Sequence, residues 1–243
     1  MPAPVIELSN VRFGWSSSSP IIVDIESLRI EEGERVFLRG PSGSGKSTLL
    51  SLLAGVTVPD EGTLRVLGKD IGKLDGAARD RFRADHIGFI FQMFNLIPYL
   101  TVLENVCLPC GFSTRRHERA CATGGNLKAE AIRLLGHLDM ADAALLRRPV
   151  NELSVGQQQR VAAARALVGM PELVIADEPT SSLDEDRRAA FIELLFRECA
   201  QHRITLVFVS HDASLGPHFD RMLAFGEINR APSVVPNPGQ VMA

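Results

Sequence analysis

The sequence lacks three features that would place it in a membrane, outside the cell or on nucleic acid. No apolar run approaches the roughly 18 residues needed to span a bilayer. The segment MPAPVIELSN at the start has neither the basic nor the apolar stretch of a secretory signal. Lys and Arg number 26 against 29 Asp and Glu, so the basic excess of non-specific nucleic-acid binders is missing. We therefore expect a cytosolic protein that does not bind nucleic acid and reaches a membrane only through a partner.

Cysteine is scarce, and the four residues present do not form a recognisable metal site. They are Cys107, Cys110, Cys121 and Cys199, which a reducing compartment would keep as thiols. CLPC with His117 and Cys121 nearby suggests zinc, but the spacing matches none of the tight ligand patterns. The surrounding segment TVLENVCLPC has the pattern of an amphipathic helix. We interpret these cysteines as small buried apolar residues.

The chain has strand-like segments towards both ends and helix-like segments between them. Its 45% hydrophobic content is typical of a globular protein with a core. Apolar patterns predict strands in VIELSNV, ERVFLRG, IGFIFQ, LVIADEP and ITLVFVSHD. Helical periodicity predicts helices in KSTLLSLLAG, KAEAIRLLGHLDM and GQQQRVAAARALVG. We predict a single domain over residues 1–230, a helical subdomain at about 93–170, a flexible loop tip at Ser16–Ser19 and a flexible Pro-rich tail at 231–243.

The segment GPSGSGKST, residues 40–48, is predicted to bind phosphate. It matches G-x-x-x-x-G-K-[ST], follows a predicted strand and opens a predicted helix, as that pattern requires. Its glycines let the backbone close around phosphate groups, Lys46 is expected to reach the β- and γ-phosphates, and Ser47 can ligate Mg²⁺. The predicted phosphate-binding residues are Gly40, Ser42, Gly43, Ser44, Gly45, Lys46, Ser47 and Thr48.

The segment LVIADEPT places two carboxylates at one edge of the predicted sheet. Its apolar residues form a buried strand that ends at Asp177, and open α/β sheets bind ligands at such ends. We expect Asp177 to hold Mg²⁺, largely through water. Glu178 can orient or deprotonate an attacking water, a role worth about 10²–10⁴-fold in rate. Together with the phosphate-binding loop, these residues predict a nucleotide-hydrolysing site.

The segment NELSVGQQQR, residues 151–160, has the features of half a phosphate site. A hydroxyl residue, Ser154, and a glycine, Gly156, precede a predicted helix. The first N–H groups and the positive dipole end of such a helix suit an anion. This site is incomplete, although a complete phosphate-binding loop lies upstream in the same chain.

Five motifs resemble, in order, those of ATP-binding-cassette ATPases: GPSGSGKST, Gln92 in FIFQ, LSVGQQQR, LVIADEPTSSLD and VFVSHD. The resemblance covers residues 5–228. Many ATPases and kinases share the phosphate-binding loop, whereas LSVGQ followed by ADEP at this distance is close to diagnostic. The family implies an α/β fold, a P-loop NTPase core with a mostly parallel sheet, an N-terminal antiparallel β subdomain and an inserted α-helical subdomain. It also implies ATP as substrate and Mg²⁺ as cofactor.

The resemblance implies an explanation for the incomplete half-site. In this family two nucleotide domains pack head to tail, and each supplies its signature segment to the ATP on the other. Here the signature segment is residues 154–157, so Ser154, Gly156 and Gln157 would act on a second copy of the chain. Asp184, at the end of TSSLD, would cross the dimer interface. Val155 stands where the commonest family form has glycine, and we expect it to be compatible with hydrolysis because a first helical turn tolerates a β-branched residue.

Further roles follow from the resemblance by position. Gln92 would sense Mg²⁺ and the attacking water, and His211 would contact the γ-phosphate and help position Glu178. An aromatic residue near the N-terminus would stack on adenine, and we choose Trp15 over Phe13. The residues implied in catalysis are Glu178, His211, Gln92 and Lys46, and those implied in Mg²⁺ binding are Ser47, Gln92 and Asp177.

Two longer stretches, GFIFQMFNLIPYLTVLENV and LSVGQQQRVAAARAL, resemble the bacterial lipoprotein-release and macrolide-export class of this family. That class implies a separate integral membrane permease, driven by ATP-dependent closure of the dimer, with this chain on the inner face of the cell membrane. The apolar region from Gln92 to Leu100 is the predicted contact for the permease. Its apolar residues are Phe94, Leu96, Ile97, Tyr99 and Leu100.

Two other classes compete with a transporter subunit. One is a non-transport ATPase of the same family, working in DNA repair, translation or iron–sulfur assembly. Repair versions have long coiled-coil insertions and translation versions have two cassettes, whereas this sequence shows no sustained heptads and each motif once. The other is a P-loop small-molecule kinase, which would leave LSVGQ and SSLD unexplained.

Overall fold

The structure is a computed structural model that describes residues 4–16, 19–181, 183 and 185–232, and at 185–187 it describes the backbone alone. The strands are β1 (Ile6–Phe13), β2 (Val23–Ile30), β3 (Arg35–Arg39), β4 (Glu61–Val66), β5 (Lys69–Asp70), β6 (Ile87–Ile90), β7 (Leu173–Asp177), β8 (Thr205–Val209) and β9 (Arg221–Ala224). The α-helices are α1 (Lys46–Leu53), α2 (Gly76–His86), α3 (Val102–Phe112), α4 (Thr114–Gly124), α5 (Leu127–His137), α6 (Ala143–Leu146), α7 (Val155–Leu167), α8 (Glu185–His202) and α9 (Phe225–Ile228). Short 3₁₀ helices span Ile71–Lys73, Val150–Glu152 and Ala213–His218. Most of the predicted tail, residues 233–243, and Ser17 and Ser18 of the predicted loop tip lie outside the described residues.

The strands form two sheets of different character. One is antiparallel, with the order β2-β1-β4-β5, and the other is parallel, with the order β6-β7-β8-β3-β9. In β1 and β2 buried and more exposed residues alternate over much of their length, because only one face of the antiparallel sheet is covered. In β7 and β8 nearly every residue is buried, as expected for central strands covered on both faces. The predicted fold class is therefore confirmed.

Helices α3 to α7 lie between β6 and β7 in the chain and form the inserted helical part. Helix α3 begins at a capping box, in which the Thr101 hydroxyl accepts from the Glu104 N–H and the Glu104 carboxylate accepts from the Thr101 N–H. Helix α5 begins at Asn126, whose side chain accepts from the Ala129 N–H. Among the described helices, none combines the length and the apolar character that crossing a bilayer would need.

Two hydrophobic clusters cover opposite faces of the parallel sheet. One joins the antiparallel sheet and α1 to it, through residues such as Ile25, Leu50 and Val207. The other joins the helical part and α8 to it, through residues such as Val106 and Phe208. Because packing occupies both faces, the strand ends are what remains for a ligand.

The cysteines are free thiols, and they pack in or near the core. Cys110 and Cys199 are buried, so the interpretation as packed apolar residues is confirmed for them, whereas Cys107 and Cys121 are half-buried. Burial raises the pKa of the Cys107 thiol to about 11. Within the described part of the chain, no cluster of metal-ligating side chains is present that could hold an ion.

Candidate nucleotide site

The carboxyl edge of the parallel sheet gathers the predicted chemistry. Leu38 of β3 and Asp177 of β7 both lie opposite Val209 of β8, and Ile90 of β6 lies opposite Ala176 of β7. The strands therefore end at nearly the same level. The functional residues that follow these strand ends are Gly40, Gln92, Glu178 and His211.

The phosphate-binding loop closes around the buried side chain of Lys46. The Lys46 Nζ donates to the carbonyl oxygens of Gly40 and Pro41, each at 2.8 Å. Gly43 and Gly45 have φ angles of 74° and 105°, which glycine adopts without strain. A Cβ on Gly45 would also lie 2.9 Å from the nearest side-chain atom. Helix α1 starts directly after Gly45 without a side-chain cap, so its first N–H groups are available to an anion.

Two partly enclosed carboxylates lie beside this loop. The Ser47 hydroxyl donates to Asp177 Oδ2 at 3.2 Å. Glu178 is 8% exposed and has a φ of 48°, an uncommon conformation for a residue with a side chain, and its N–H donates to the Val209 carbonyl at 3.0 Å. Burial raises the pKa of both carboxyl groups. The hydrogen bond from Ser47 opposes this effect at Asp177 and the charge of His211 opposes it at Glu178, but burial has the larger effect in each case. A raised pKa makes Glu178 a stronger base, which suits proton abstraction from water.

His211 and Gln92 line the same cleft as these carboxylates. The His211 Nε2 lies 2.9 Å from Glu178 Oε1, although this contact does not have hydrogen-bond geometry. The predicted role of His211 in positioning Glu178 agrees with this contact. Gln92 is exposed and is the first central residue of a turn in which the Phe94 N–H donates to the Phe91 carbonyl at 2.9 Å.

The side chains at this edge fit a nucleotide phosphate with Mg²⁺. Glu178 Oε1 is buried and has no hydrogen-bond partner among the described residues, an unfavourable state that a water beside a bound phosphate would relieve by donating to it. The hydrogen bonds of the Lys46 ammonium go to neutral carbonyls, so a phosphate would form a stronger charge-assisted pair with it. Ser47 and Asp177 supply the hard oxygen ligands that Mg²⁺ prefers.

A cleft of about 330 Å³ contains most of the predicted residues. Among the described residues its lining consists of Ile22, Ser42, Gly43, Gly45, Lys46, Ser47, Thr48, Gln92, Asp177, Glu178 and His211. Gly40 and Ser44 belong to the loop but do not line the cleft. Ile22 was not predicted, because a single aliphatic residue before a strand carries no signal that separates a ligand contact from core packing.

Trp15 and Phe13 take different environments. Phe13 is 6% exposed and belongs to the core, whereas Trp15 is 58% exposed, and their rings pack edge to face with centroids 5.2 Å apart. The loop that carries Trp15 meets the cleft through Ile22, whose N–H donates to the Phe13 carbonyl at 2.9 Å. Trp15 does not itself line the cleft. Its exposure favours Trp15 over Phe13 for stacking on adenine, which stays a prediction.

The signature segment lies apart from the phosphate cleft. Ser154 caps α7: its Oγ accepts from the Gln157 N–H at 3.3 Å, and Gln157 Oε1 accepts from the Ser154 N–H at 3.0 Å. Ser154, Gly156 and Gln157 line a separate cavity of about 230 Å³, and Val155 is 50% exposed. A single chain does not bring the two half-sites together in its described residues. Asp184, predicted at the dimer interface, lies outside those residues.

The apolar region after Gln92 is only partly exposed. Phe94 is 8% exposed and packs in the core, so its predicted place in a partner-binding patch is wrong: its side chain is used by the helical part. Tyr99 is 79% exposed, and Met93 and Phe112 are also exposed, at 81% and 73%. The remaining predicted residues of this patch, all half-buried, are Leu96, Ile97 and Leu100.

Known proteins match the chain along most of its length. A family profile described as ABC transporter matches residues 23–181. The lipoprotein-releasing system ATP-binding protein LolD of Porphyromonas gingivalis is 38% identical over 90% of this chain and 95% of LolD. The macrolide export ATP-binding/permease protein MacB of Rhodopirellula baltica is 40% identical over 84% of this chain, which spans only 29% of MacB.

A solved structure also matches closely. It is the dimeric post-hydrolysis state of the ATP-binding cassette MJ0796 of Methanocaldococcus jannaschii, bound to ADP and Pi. It superposes with a TM-score of 0.79 at 35% identity, covering 94% of this chain and 98% of the other. None of these relatives is named as a repair, translation or kinase protein. The chain belongs to the ABC transporter family, as an ATP-binding and ATP-hydrolysing subunit of the lipoprotein-release and macrolide-export class.

Proposed function

We propose that two copies of this chain close head to tail around ATP and that this closure drives a separate membrane permease. The observation that carries the proposal is the separation of two half-sites, because the phosphate cleft at residues 40–48 is not lined by the signature segment. A second copy related by a two-fold axis would bring its signature segment to the first copy's cleft, and the symmetry would complete both sites. The dimeric state of the MJ0796 cassette supports this arrangement.

The start of α7 has the chemistry that the other half of the site needs. The N–H groups of Val155 and Gly156 have no acceptor among the described residues, whereas the Gln157 N–H is used by the Ser154 cap. These two donors and the positive end of the helix dipole suit the terminal phosphate of ATP. The Ser154 hydroxyl accepts one hydrogen bond and still has its own proton to donate.

Six residues of the cleft then have proposed roles in hydrolysis. Lys46 binds the β- and γ-phosphates. Glu178 accepts a proton from the attacking water, and His211 holds its carboxylate in place. Mg²⁺ would be held by Ser47, Gln92 and Asp177. When bound, it neutralises negative charge on the phosphates.

The exposed side chains after β6 form the surface that we assign to the permease. Phe112 is exposed and lines a groove of about 660 Å³, and Met93 and Tyr99 are exposed in the segment whose Asn95 and Ile97 also line it. The groove lies between α2, β6 and α3, and its lining combines apolar residues such as Phe89 and Leu108, charged residues of α2, and the buried Arg116 and Arg165. A short amphipathic helix with charged flanks fits such a groove. The chain would thereby be held in the cytoplasm, on the inner face of the cell membrane.

Membrane retention in the native host tests this assignment. The wild-type chain should sediment with membranes, and the double variant Tyr99→Glu, Phe112→Glu should move to the supernatant because two charges replace apolar contacts. The ATPase rate of the purified variant should stay within a few-fold of wild type. Val56→Glu is the matched control, since Val56 is 59% exposed and does not line the groove. Equal retention of all three proteins, or equal release of both variants, would refute the assignment.

Replacing Val155 by glycine should leave ATP turnover within a few-fold of wild type. Val155 occupies the first position of α7 with its side chain half exposed, and its proposed contribution is its N–H, which glycine keeps. Glycine adds backbone freedom that costs up to about 1 kcal/mol of helix stability. Steady-state phosphate release and ATP titration measure turnover and affinity.

Gly156→Asp is the contrasting variant. A Cβ at Gly156 would lie 3.6 Å from Leu183, an ordinary contact, so the single chain should fold and bind ATP. A carboxylate against the γ-phosphate should instead lower turnover on the order of 10²-fold by opposing closure. Gly156→Ala separates the effect of size from that of charge. Equally severe losses in Val155→Gly and Gly156→Asp would mean that the valine side chain shapes the site.

A further inference from the structure

Arg165 is a buried arginine that faces backbone carbonyls. It lies in the last turn of α7, is 9% exposed and has no carboxylate partner in the part of the chain that the structure describes. Its two terminal nitrogens donate to the carbonyl oxygens of Asn95 at 2.7 Å and Phe94 at 2.5 Å. Burial lowers the pKa of its guanidinium. A buried cation needs its donors satisfied, so these two carbonyls are what stabilise it here.

The carbonyls that Arg165 binds lie at the end of the turn that presents Gln92: Phe94 is the last residue of the turn and Asn95 follows it. The Phe94 N–H closes this turn on the Phe91 carbonyl at 2.9 Å, with Gln92 as its first central residue. Phe94 and Asn95 have φ angles of 59° and 47°. Two consecutive left-handed residues with side chains are unfavourable unless their surroundings fix them. The guanidinium supplies such a constraint on both.

The helix that carries Arg165 is fixed firmly at the same end. A Cβ on Gly88 of β6 would lie 2.3 Å from the Ala166 carbonyl oxygen, so the helix backbone approaches the strand as closely as glycine permits. Arg116 donates to the carbonyls of Ala166 and Val168 at 2.8 Å each. At its other end, the 13-residue α7 begins at Ser154 of the signature segment.

We infer that Arg165 is a positioning residue that holds the Gln92 turn in the geometry needed for hydrolysis and couples that turn to the signature helix. The inference rests on the proposed role of Gln92 at the nucleotide. Arg165 does not line the phosphate cleft, so it acts on the reaction through the turn and not by contact with ATP. Because α7 carries both Arg165 and the signature segment, displacement of the turn and displacement of the helix are linked.

A double-mutant cycle on the full chain tests the inference. Arg165→Met should lower kcat on the order of 10- to 10²-fold, with ATP affinity within a few-fold, because a misplaced Gln92 affects chemistry and not binding. Arg165→Lys, which keeps the charge but has one donor nitrogen in place of two, should recover part of that loss. Arg165→Met combined with Gln92→Ala should be no slower than Gln92→Ala alone. If the kcat losses of Arg165→Met and Gln92→Ala multiplied in the double variant, the inference would be overturned.

Arg119→Met is the matched control. Arg119 is a partly buried arginine that donates to the Met170 carbonyl at 2.7 Å and to the Glu172 carboxylate, and its side chain contacts neither α7 nor the turn through a hydrogen bond. Any loss of kcat that it causes should multiply with that of Gln92→Ala. If Arg119→Met caused a loss that disappeared beside Gln92→Ala, the coupling would not be specific to Arg165 and the inference would be wrong.

Amide hydrogen exchange without nucleotide provides a readout that is independent of activity. Exchange in residues 91–95 should be several-fold faster in Arg165→Met than in wild type and unchanged in Arg119→Met. Unchanged exchange in Arg165→Met would overturn the inference. Wild-type turnover in Gln92→Ala would refute the proposed role of Gln92 and the inference with it, whereas multiplying losses would refute the inference alone.

Discussion

Replacing Glu178 by glutamine is expected to lower ATP turnover about 10²-fold or more while ATP binding is retained. Glutamine keeps the shape of the side chain but cannot accept a proton. Glu178 is buried, follows β7 directly and lies 2.9 Å from His211 Nε2, so no other carboxylate of the cleft has the same position. His211→Ala should give a loss of the same kind, because it leaves the carboxylate without its neighbour. Phosphate release and nucleotide titration measure the two quantities.

The pH profile gives the Glu178 prediction a second readout. Burial raises the pKa of Glu178, so as the pH falls its basic form, and turnover with it, is lost at a higher pH than for an ordinary carboxylate. The residual rate of Glu178→Gln should lack this acid-side decrease. Glu193→Gln is the control, because Glu193 on α8 is 79% exposed in its side chain and should keep both rate and profile. Near wild-type hydrolysis by Glu178→Gln would show that the base is another residue.

Replacing Lys46 by alanine is expected to weaken ATP binding by about 10- to 10²-fold, since a charge-assisted hydrogen bond contributes about 1.5–3 kcal/mol. The variant removes the ammonium that would pair with the β- and γ-phosphates. It also removes both hydrogen bonds that hold the carbonyls of Gly40 and Pro41, so the loop itself should loosen. Turnover at subsaturating ATP should fall at least as far as affinity does.

Lys128→Ala is the matched control for Lys46→Ala. It removes the same charge from an exposed position on α5, and both affinity and turnover should stay at the wild-type level. If the two lysine variants bound ATP equally well, the phosphate site would have to be elsewhere in the chain.

The parts of the site that lie in contiguous segments were predictable from the sequence. The phosphate-binding loop and Glu178 each follow an apolar strand directly, Asp177 is the last residue of one, and parallel strands meet at one edge of a sheet. Local sequence therefore sets both the residue type and its place. The capping box at Ser154 is similarly local, because its two partners are three residues apart.

Other parts depend on contacts between distant segments, which a local pattern does not contain. Phe94 and Tyr99 are both aromatic residues of one apolar stretch, yet one is buried against the helical part and the other is exposed. In the sequence, Arg165 is only a basic residue near the end of a predicted helix. Its contacts with carbonyls 70 and 71 residues away appear only in the folded chain. Ile22 lines the cleft because the loop before β2 meets the phosphate-binding loop, a contact that hydrophobicity alone does not reveal.

Sedimentation velocity of Glu178→Gln tests most directly the central claim that the two half-sites complete each other across two chains. With ATP and Mg²⁺ the variant should sediment as a dimer, and with ADP or without nucleotide it should sediment as a monomer. Adding Gly156→Asp to Glu178→Gln should restore the monomer while ATP still binds, because the signature segment can no longer approach the γ-phosphate. A Glu178→Gln chain that is saturated with ATP and remains monomeric at high protein concentration would contradict the account.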